Sequence, residues 1–176
     1  IINLPKDDKI MAYINTKDLK DEEYINSHFI MMCTKKGVVK KTSLEAYSRP
    51  RTNGINAITI REGDQLLEAK MTTGNSHIMM AVKSGKAIHF EEEKVRSMGR
   101  TAAGVRGIRL ANDNDEVVGM ICIEDTTSSV LVVAENGYGK RAAVEDYRIT
   151  NRGGKGVKTI NITDKTGPLI SLKNVS

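Results

Sequence analysis

The chain contains no tryptophan and only 4% aromatic residues, yet its 176 residues are enough to bury a substantial core. That core must consist mainly of aliphatic side chains and methionine, of which the chain has eight. No apolar run is long enough to cross a bilayer, and no signal peptide is recognisable in the first residues. We therefore predict neither a membrane-spanning segment nor a secreted protein.

Cysteine and histidine are equally scarce. Cys33 and Cys122 lie inside apolar runs and form no C-x-x-C pair, which is typical of small core residues in a reducing compartment. His28, His77 and His89 lack the close spacing of a metal site. The acidic run 91–93 is interpreted as a solvated turn. We predict no catalytic residue, metal or cofactor in this chain.

The sequence does contain one pattern three times, at intervals of about fifty residues. Each copy runs from an apolar triplet through a turn glycine and basic residues to an Arg/Gly-rich loop. The turn glycines are Gly37, Gly85 and Gly137, at steps of 48 and 52, and the loop glycines are Gly54, Gly104 and Gly156, at steps of 50 and 52. Repeats of this length indicate a propeller, a solenoid or another array of similar units.

The middle repeat indicates which array this is. Short runs rich in Ile, Val and Met predict strands at His77–Val82, Lys86–Phe90, Val105–Leu110 and Glu116–Ile123. Gly85 supplies the positive φ of the first hairpin turn. Ser43–Tyr47 and Val144–Tyr147 are candidates for a single helical turn. Four short strands per repeat predict an all-β fold of propeller-like blades, and the absence of a Trp-Asp pair argues against the WD40 type.

The repeat also divides the chain. Residues 1–27 match the second half of a unit, so we expect the sequence to be a fragment of a longer protein. The predicted units are 1–27, the second half of a preceding blade, and then one blade each at 28–75, 76–127 and 128–176. This amounts to about three and a half blades.

Charge follows the repeat. The net charge is +5, but windows 35–61, 83–110 and 135–158 carry +6, +4 and +3. The remaining residues therefore sum to −8. If equivalent positions meet on one side of an array, the basic windows merge into a stripe, which is the electrostatic pattern of a polyanion-binding protein.

Each basic window ends in an Arg/Gly-rich loop. These loops are Ser48–Ile55, Gly99–Ile108 and Asn151–Val157. Glycine allows backbone N–H groups to approach an anion, and Arg and Lys supply charge and forked donors. Tyr47 and Tyr147 precede two of the loops and are predicted to support them. None of the loops matches a nucleotide-binding Walker A motif.

At these residues the chain resembles the C-terminal domain of DNA gyrase A. The motifs are Y-S-R-P-R-T-N-G-I (47–55), V-R-S-M-G-R-T-A-A-G-V-R-G-I-R-L (95–110) and E-N-G-Y-G-K-R (135–141). The resemblance implies a β-pinwheel, a disc of usually six four-stranded blades with a strand exchanged between neighbours. Residues 150–156, T-N-R-G-G-K-G, match five of the seven positions of the family's gyrase box. Their late place in the repeat series makes them an equivalent loop, with the box itself expected upstream.

The resemblance also implies a function: a non-catalytic module that binds and wraps double-stranded DNA, in support of ATP-dependent negative supercoiling. The parent would be a cytoplasmic, nucleoid-associated bacterial type IIA topoisomerase. Its partners would be the N-terminal region of gyrase A and the gyrase B protein in an A2B2 holoenzyme, which is where ATP and Mg would bind. Two alternatives remain: the C-terminal domain of the corresponding topoisomerase IV protein, and a protein-interaction propeller that binds acidic partners.

Thirteen residues are predicted to contact DNA, all of them Lys or Arg in the basic windows. They are Lys35, Lys36, Lys40, Lys41, Arg49, Arg51, Lys86, Arg100, Arg106, Lys140, Arg141, Arg152 and Lys155.

Overall fold

The structure, a computed structural model, describes residues 22–47 and 58–175. Predictions for segment 1–21 and for Arg49, Arg51 and Gly54 lie outside the described residues. A short helix, α1 (Glu22–Ser27), precedes the strands β1 (Phe29–Thr34), β2 (Val38–Ser43), β3 (Leu66–Thr72), β4 (His77–Val82), β5 (Lys86–Glu91), β6 (Val105–Arg106), β7 (Val117–Ile123), β8 (Ser129–Ala134), β9 (Gly139–Ala143), β10 (Val157–Lys158) and β11 (Leu169–Val175). Single 3₁₀ turns occupy Leu44–Tyr47, Glu92–Lys94 and Val144–Asp146.

Each repeat begins with a tight antiparallel hairpin. The hairpins β1–β2, β4–β5 and β8–β9 turn at Gly37, Gly85 and Gly137, whose φ angles are 92°, 94° and 89°. Only glycine adopts such angles without a steric cost, so the turn glycines set the hairpin positions from the sequence. The predicted strand His77–Val82 is confirmed residue for residue.

The sheets exchange strands between repeats. The strand orders are β3-β1-β2-β6, β10-β5-β4-β7 and, among the described residues, β11-β8-β9. The short strand β6 follows the Arg/Gly loop of the second repeat but pairs with β2 of the first. In the same way β10, from the third repeat, pairs with β5 of the second. The predicted all-β class with propeller-like, strand-exchanging blades is confirmed.

The predicted strand Val105–Leu110 is much shorter than expected. Only Val105 and Arg106 pair in the ladder. The next two N–H groups, of Gly107 and Ile108, both donate to the carbonyl oxygen of Gly37 (2.7 and 3.3 Å). The hairpin turn of the preceding blade therefore ends the donated strand.

The inner and outer sides of the array follow from the strand contacts. Strand β7 packs against β3 and β11, so these three sheet-edge strands face one another on the inner side. The exchanged strands β6 and β10 lie at the opposite, outer edges of their sheets.

The core fills the spaces between successive sheets. Side chains alternate along a strand, so one strand can pack on both neighbours. In β4, Ile78 and Met80 pack in a cluster with Met31 of the first blade, whereas Met79 packs in a cluster with Val132 of the third. Buried methionines and aliphatic residues dominate both clusters, as the scarcity of aromatic residues predicts.

Within the described residues, no helix is long and apolar enough to cross a membrane.

Candidate nucleic-acid interface

The outer edge of the array is rich in basic residues. We define the rim ribbon as residues 58–61, 94–109 and 147–158, of which the second and third ranges contain the exchanged strands β6 and β10. These residues include ten Lys or Arg and no Asp or Glu, although the whole chain has a net charge of only +5. Positive charge is therefore concentrated on this ribbon far beyond the average of the chain.

Hydrogen bonds join the three parts of the rim ribbon. Thr59 N–H donates to the carbonyl of Ala102 (3.4 Å), which links the first part to the second. Gly153 N–H donates to the carbonyl of Gly107, and Arg109 N–H donates to the carbonyl of Gly154, both at 2.7 Å. The basic loops of successive repeats consequently form one connected path along the array.

Glycines in the second and third Arg/Gly-rich loops allow each loop to pack closely against the preceding blade. Gly104 and Gly156 have φ angles of 99° and 78°. A Cβ atom at either position would lie 2.5 Å from a backbone carbonyl oxygen, that of Val39 or that of Ala87. The sequence interpretation assigned such glycines to close approach of an anion, but the structure gives them a packing requirement that is independent of any ligand.

Four of the predicted contact residues belong to the rim ribbon: Arg100, Arg106, Arg152 and Lys155. Arg106 and Lys155 are exposed, whereas Arg100 and Arg152 are half-buried. Lys155 also lines a cleft of about 150 Å³ together with Lys86, another predicted contact, and Arg109. Three cations thus converge beside the ribbon at the second blade, and the buried Asp115 carboxylate lines the same cleft.

The prediction missed six basic residues of the ribbon: Arg61, Lys94, Arg96, Arg109, Arg148 and Lys158. All six are exposed. A signal for two of them is present in the sequence, because Arg96 and Arg148 are separated by 52 residues, the same step as Arg100 and Arg152. Repeat spacing applied to every basic residue would have found this pair.

Lys40 and Lys41, two of the predicted contacts, are both buried in the structure, which does not favour direct contact with DNA. The Lys40 ammonium group donates to the carbonyl of Arg100, and burial, with a smaller effect of the nearby Arg100 charge, lowers the pKa of Lys40 to about 8. The Lys41 ammonium group lies 3.3 Å from Glu92 Oε2 and 4.4 Å from the centre of the Phe29 ring. These cations stabilise contacts between repeats and are not presented to a ligand.

Glu92 corrects a second sequence interpretation, the solvated acidic turn. Its side chain is fully buried. Oε1 accepts hydrogen bonds from the N–H groups of Gly74 (3.2 Å) and Ser76 (3.1 Å), and Oε2 accepts one from the Thr72 hydroxyl (2.7 Å). With Lys41 it forms a satisfied buried ion pair across the junction of the first two repeats.

Lys35 and Lys36 lie at the hairpin-turn end of the first blade. They line a cavity of about 400 Å³ together with four acidic residues, Asp64, Asp113, Asp115 and Glu116. Asp115 is buried there and accepts hydrogen bonds from Ser84 N–H (3.0 Å) and the Ser84 hydroxyl (2.8 Å). The turn end is therefore mixed in charge, unlike the rim ribbon. The neighbouring cleft is mixed as well, because Glu62, Asp64 and Asp113 line it together with Lys36, Arg61 and Arg106.

The remaining predicted contacts fall elsewhere. Lys140 and Arg141 are exposed on β9, at the outer edge of the third blade. Arg49 and Arg51 lie outside the described residues.

Two histidines predicted to be isolated are in contact. His77 Nδ1 and His89 Nε2 are 2.9 Å apart, and His89 Nδ1 lies 3.0 Å from the carbonyl oxygen of Tyr147. Because a carbonyl only accepts, His89 carries its proton on Nδ1 in this arrangement. Burial lowers the pKa of His89, which favours the neutral ring. No group of metal-ligating side chains occurs among residues 22–47 and 58–175.

The cysteines and Tyr147 behave as packing residues. Burial raises the pKa of the Cys33 thiol and raises that of Cys122 to about 12, so both remain unreactive thiols. Tyr147 is buried, and its hydroxyl is hydrogen-bonded to that of Thr159 beyond the exchanged strand β10. This contact agrees with the predicted role of Tyr147 as a loop support.

Known proteins resemble this chain repeat by repeat. A family model described as "DNA gyrase C-terminal domain, beta-propeller" matches residues 28–72, 76–124 and 128–176. The chain is 43% identical over 176 residues to the DNA gyrase A protein of Staphylococcus epidermidis (strain ATCC 12228 / FDA PCI 1200), and equally to that of Staphylococcus aureus (strain NCTC 8325 / PS 47). Each alignment covers 99% of this chain but spans only 19% of the relative's length.

Two solved structures have the same fold. A DNA gyrase A C-terminal domain superposes with a TM-score of 0.82 at 24% identity, covering 99% of this chain and 56% of that one. The C-terminal domain of a DNA topoisomerase IV superposes with a TM-score of 0.79, also at 24% identity, covering 85% of this chain and 47% of that one. At this identity the two likenesses establish the fold alone.

Proposed function

The chain belongs to the family of DNA gyrase C-terminal domains, and on that premise we propose that it binds duplex DNA along the rim ribbon and bends it around the array. The observation that carries the proposal is a connected path of ten basic residues without an acidic one at the outer edge of successive blades. The chain supplies no catalytic step in this proposal.

The chemistry of the ribbon suits a phosphate backbone. Lys and Arg neutralise phosphates without reading bases, and the counterions released make such binding strongly dependent on salt. The ribbon presents exposed cations on both described exchanged strands, Arg106 on β6 and Lys158 on β10. The same contact would therefore recur from blade to blade, independent of DNA sequence.

Bending requires contacts spread along an arc. Bending about 20–30 base pairs smoothly by 40–90° costs of order 1–6 kcal/mol, so a single basic patch would not hold curved DNA. Hydrogen bonds between successive loops keep the cations of neighbouring blades at fixed separations. Because these cations already form an arc before DNA binds, their contacts offset the cost of bending DNA, and the protein need not become more ordered on binding.

The gyrase assignment is favoured over topoisomerase IV by the 43% identity to gyrase A proteins over 99% of the chain. In the proposed context the chain is part of a type IIA topoisomerase in the bacterial cytoplasm. The remainder of gyrase A, together with the gyrase B protein, would cleave DNA and use ATP and Mg, and the wrapped segment would be presented to them for supercoiling.

Binding is tested first by its salt dependence. If about six phosphates are neutralised, a plot of log binding constant against log salt concentration should have a slope near −5. Lys155→Ala removes one ribbon cation and should reduce the magnitude of the slope by about 0.9. Lys173→Ala is the matched control, since Lys173 is exposed on the inner strand β11 and should leave the slope unchanged.

Wrapping is tested by DNA topology. Nicked circles are ligated with the protein bound, the protein is removed, and the linking number is measured. A shift that grows with protein concentration and is smaller in Arg106→Ala supports the proposal. Salt-insensitive binding with no linking-number shift would instead favour an interaction module for acidic proteins.

A further inference from the structure

We infer that Arg152 is a positioning residue that clamps the third repeat onto the second and so directs the DNA path across their junction. The sequence interpretation placed Arg152 among the direct DNA contacts, and the geometry points to a different role. The inference rests on the proposed function for its effect on DNA, although the clamp itself can be measured without DNA.

The guanidinium group of Arg152 joins two separate points of the second repeat. Its Nε donates to the carbonyl oxygen of Lys94 at 3.1 Å, and its Nη1 donates to the carbonyl oxygen of Arg106 at 3.0 Å. Lys94 ends the 3₁₀ turn after β5, and Arg106 lies on β6, which is paired with the first blade. One side chain of the third repeat thus spans the loop that leaves the second blade.

Backbone contacts beside Arg152 support the same junction. Gly153 N–H donates to Gly107 O, and Arg109 N–H donates to Gly154 O, both at 2.7 Å. Gly153 has a φ of 87°, a conformation that favours glycine. The segment 152–154 therefore lies along residues 106–109 with a fixed register, and the Arg152 fork holds one end of it.

The chemistry explains why arginine occupies this position. A planar guanidinium presents donors in fixed directions and can hold two carbonyl groups at once, whereas a lysine ammonium acts as a point charge. Arg152 is half-buried and directs two donors into the protein, while Lys155 in the same loop is exposed. We therefore assign the phosphate contact in this loop to Lys155 and the orientation of the loop to Arg152.

Loss of the Arg152 clamp should change the path of the bound DNA more than the affinity of the protein for DNA. Arg106 and Arg109 belong to the second repeat and Lys155 and Lys158 to the third, so the junction sets their relative positions along the arc. A loosened junction would still attract DNA through the cations assigned to phosphate contact, such as Arg106 and Lys155. It would hold the DNA in a less defined curve, and the linking-number shift would be reduced.

The test separates a clamp from a contact by three variants in the same loop: Arg152→Ala, Arg152→Lys and Lys155→Ala. The clamp predicts faster amide hydrogen exchange at Gly153 and Arg109 in both Arg152 variants without DNA, and not in Lys155→Ala. In DNA binding, both Arg152 variants should keep the wild-type salt slope but give a smaller linking-number shift. Lys155→Ala should lose about 0.9 of the slope.

Several results would overturn the inference. If Arg152→Ala lowers the slope as Lys155→Ala does, and Arg152→Lys restores it, Arg152 is a phosphate contact. Unchanged amide exchange in both Arg152 variants would exclude the clamp. If the wild-type protein shows neither salt-dependent binding nor a linking-number shift, the proposed function fails, whereas the exchange result still decides the clamp. Should Arg152→Ala fail to fold, Arg152→Gln, which keeps one donor group, replaces it in each measurement.

Discussion

The two junctions between repeats use the same backbone scheme but different side chains. In the first junction, between the first and second repeats, Lys41 forms a buried ion pair with Glu92. In the second junction, between the second and third repeats, the corresponding position on β5 is His89, which is hydrogen-bonded to the carbonyl of Tyr147. Lys41 and His89 occupy equivalent places, because their carbonyl oxygens accept N–H bonds from Met98 (2.7 Å) and Thr150 (2.8 Å) of the following loops.

The difference shows that the repeat conserves backbone geometry more strictly than side-chain chemistry. Leu44, Glu92 and Val144 begin the three 3₁₀ turns, and their N–H groups donate to the carbonyls of His28, Ser76 and Ser128. All three side chains are fully buried, but only Glu92 is charged. The first junction therefore depends on an ion pair, and the second on neutral hydrogen bonds and the Arg152 clamp.

The largest effect is expected when the ion pair is broken. Glu92→Leu copies the apolar residue of the first repeat but leaves the buried Lys41 ammonium without its carboxylate. We expect the free energy of unfolding to fall by about 3–5 kcal/mol. Urea denaturation measures the change.

The control for this prediction is the double variant Lys41→Met/Glu92→Leu. Replacing both charges removes the uncompensated cation, so the double variant should be more stable than Glu92→Leu alone. A residual cost of about 1–3 kcal/mol is expected from the buried N–H groups of Gly74 and Ser76 that lose their acceptor. Equal instability of the single and double variants would contradict an ionic first junction.

A further loss of stability is expected at both junctions from the turn glycines. Gly37→Ala and Gly85→Ala would each place a Cβ atom 2.6 Å from a carbonyl oxygen of the donated segment, that of Ile108 or Ile160. The positive φ alone costs about 1–3 kcal/mol, and the clash should add to this cost. Thermal unfolding should show a loss in both variants, at least as large in Gly85→Ala because its Cβ atom would also lie 2.7 Å from Ile162 Cγ1.

Gly137→Ala isolates the conformational part of that loss. Gly137 has a similar φ of 89°, but a Cβ atom there meets no described atom within 4 Å. The Gly137→Ala variant should therefore lose clearly less stability than Gly85→Ala. Equal losses at all three glycines would mean that close approach of the donated segment contributes nothing.

The smallest effect is a pH dependence in the mildly acidic range, where the second junction contributes through His89. Since burial lowers the folded-state pKa of His89, the unfolded chain binds more protons between that pKa and about 6.5. Stability contributed by neutral His89 is thus present above pH 6.5 and is lost as the pH falls toward the folded-state pKa. Glu91 and His77 also act on the ring, the former raising and the latter lowering its pKa.

Chemical denaturation between pH 5.5 and 7.5 tests this expectation. The wild-type chain should lose more stability on acidification than His89→Gln, by at most about 1.4 kcal/mol per pH unit for one titrating group. A wild-type profile parallel to that of the variant would show that His89 titrates equally in both states. Glu92→Leu, at the other junction, should keep the wild-type acid dependence.

Local features of this protein could be predicted from its sequence because they depend on neighbours along the chain. Hairpin positions followed from turn glycines and apolar triplets, and β4 was placed correctly since its residues form a short run bounded by turn signals. The repeat spacing also identified the positions that would come together at the outer edge. Four of the predicted contacts, Arg100, Arg106, Arg152 and Lys155, lie on the rim ribbon.

Burial of the charged residues could not be predicted by the same reasoning. Lys40 and Lys41 lie in a basic window and resemble solvent-facing residues, yet β6 and the loop before it cover them. Glu92 stands between two other glutamates, and nothing local distinguishes the one that turns inward. In each case the partner comes from a distant segment, Arg100 for Lys40 and Glu92 for Lys41.

By itself, then, the sequence determined the repeat, the hairpins and the sorting of charge, because these depend on composition and periodicity along the chain. Only the tertiary structure decided which cations reach solvent, which ones hold repeats together, and how successive loops join into a single ribbon. The physical reason is strand exchange: the sheets of the first and second blades are each completed by a segment of the following repeat, so their outer surfaces are created only when the repeats pack together.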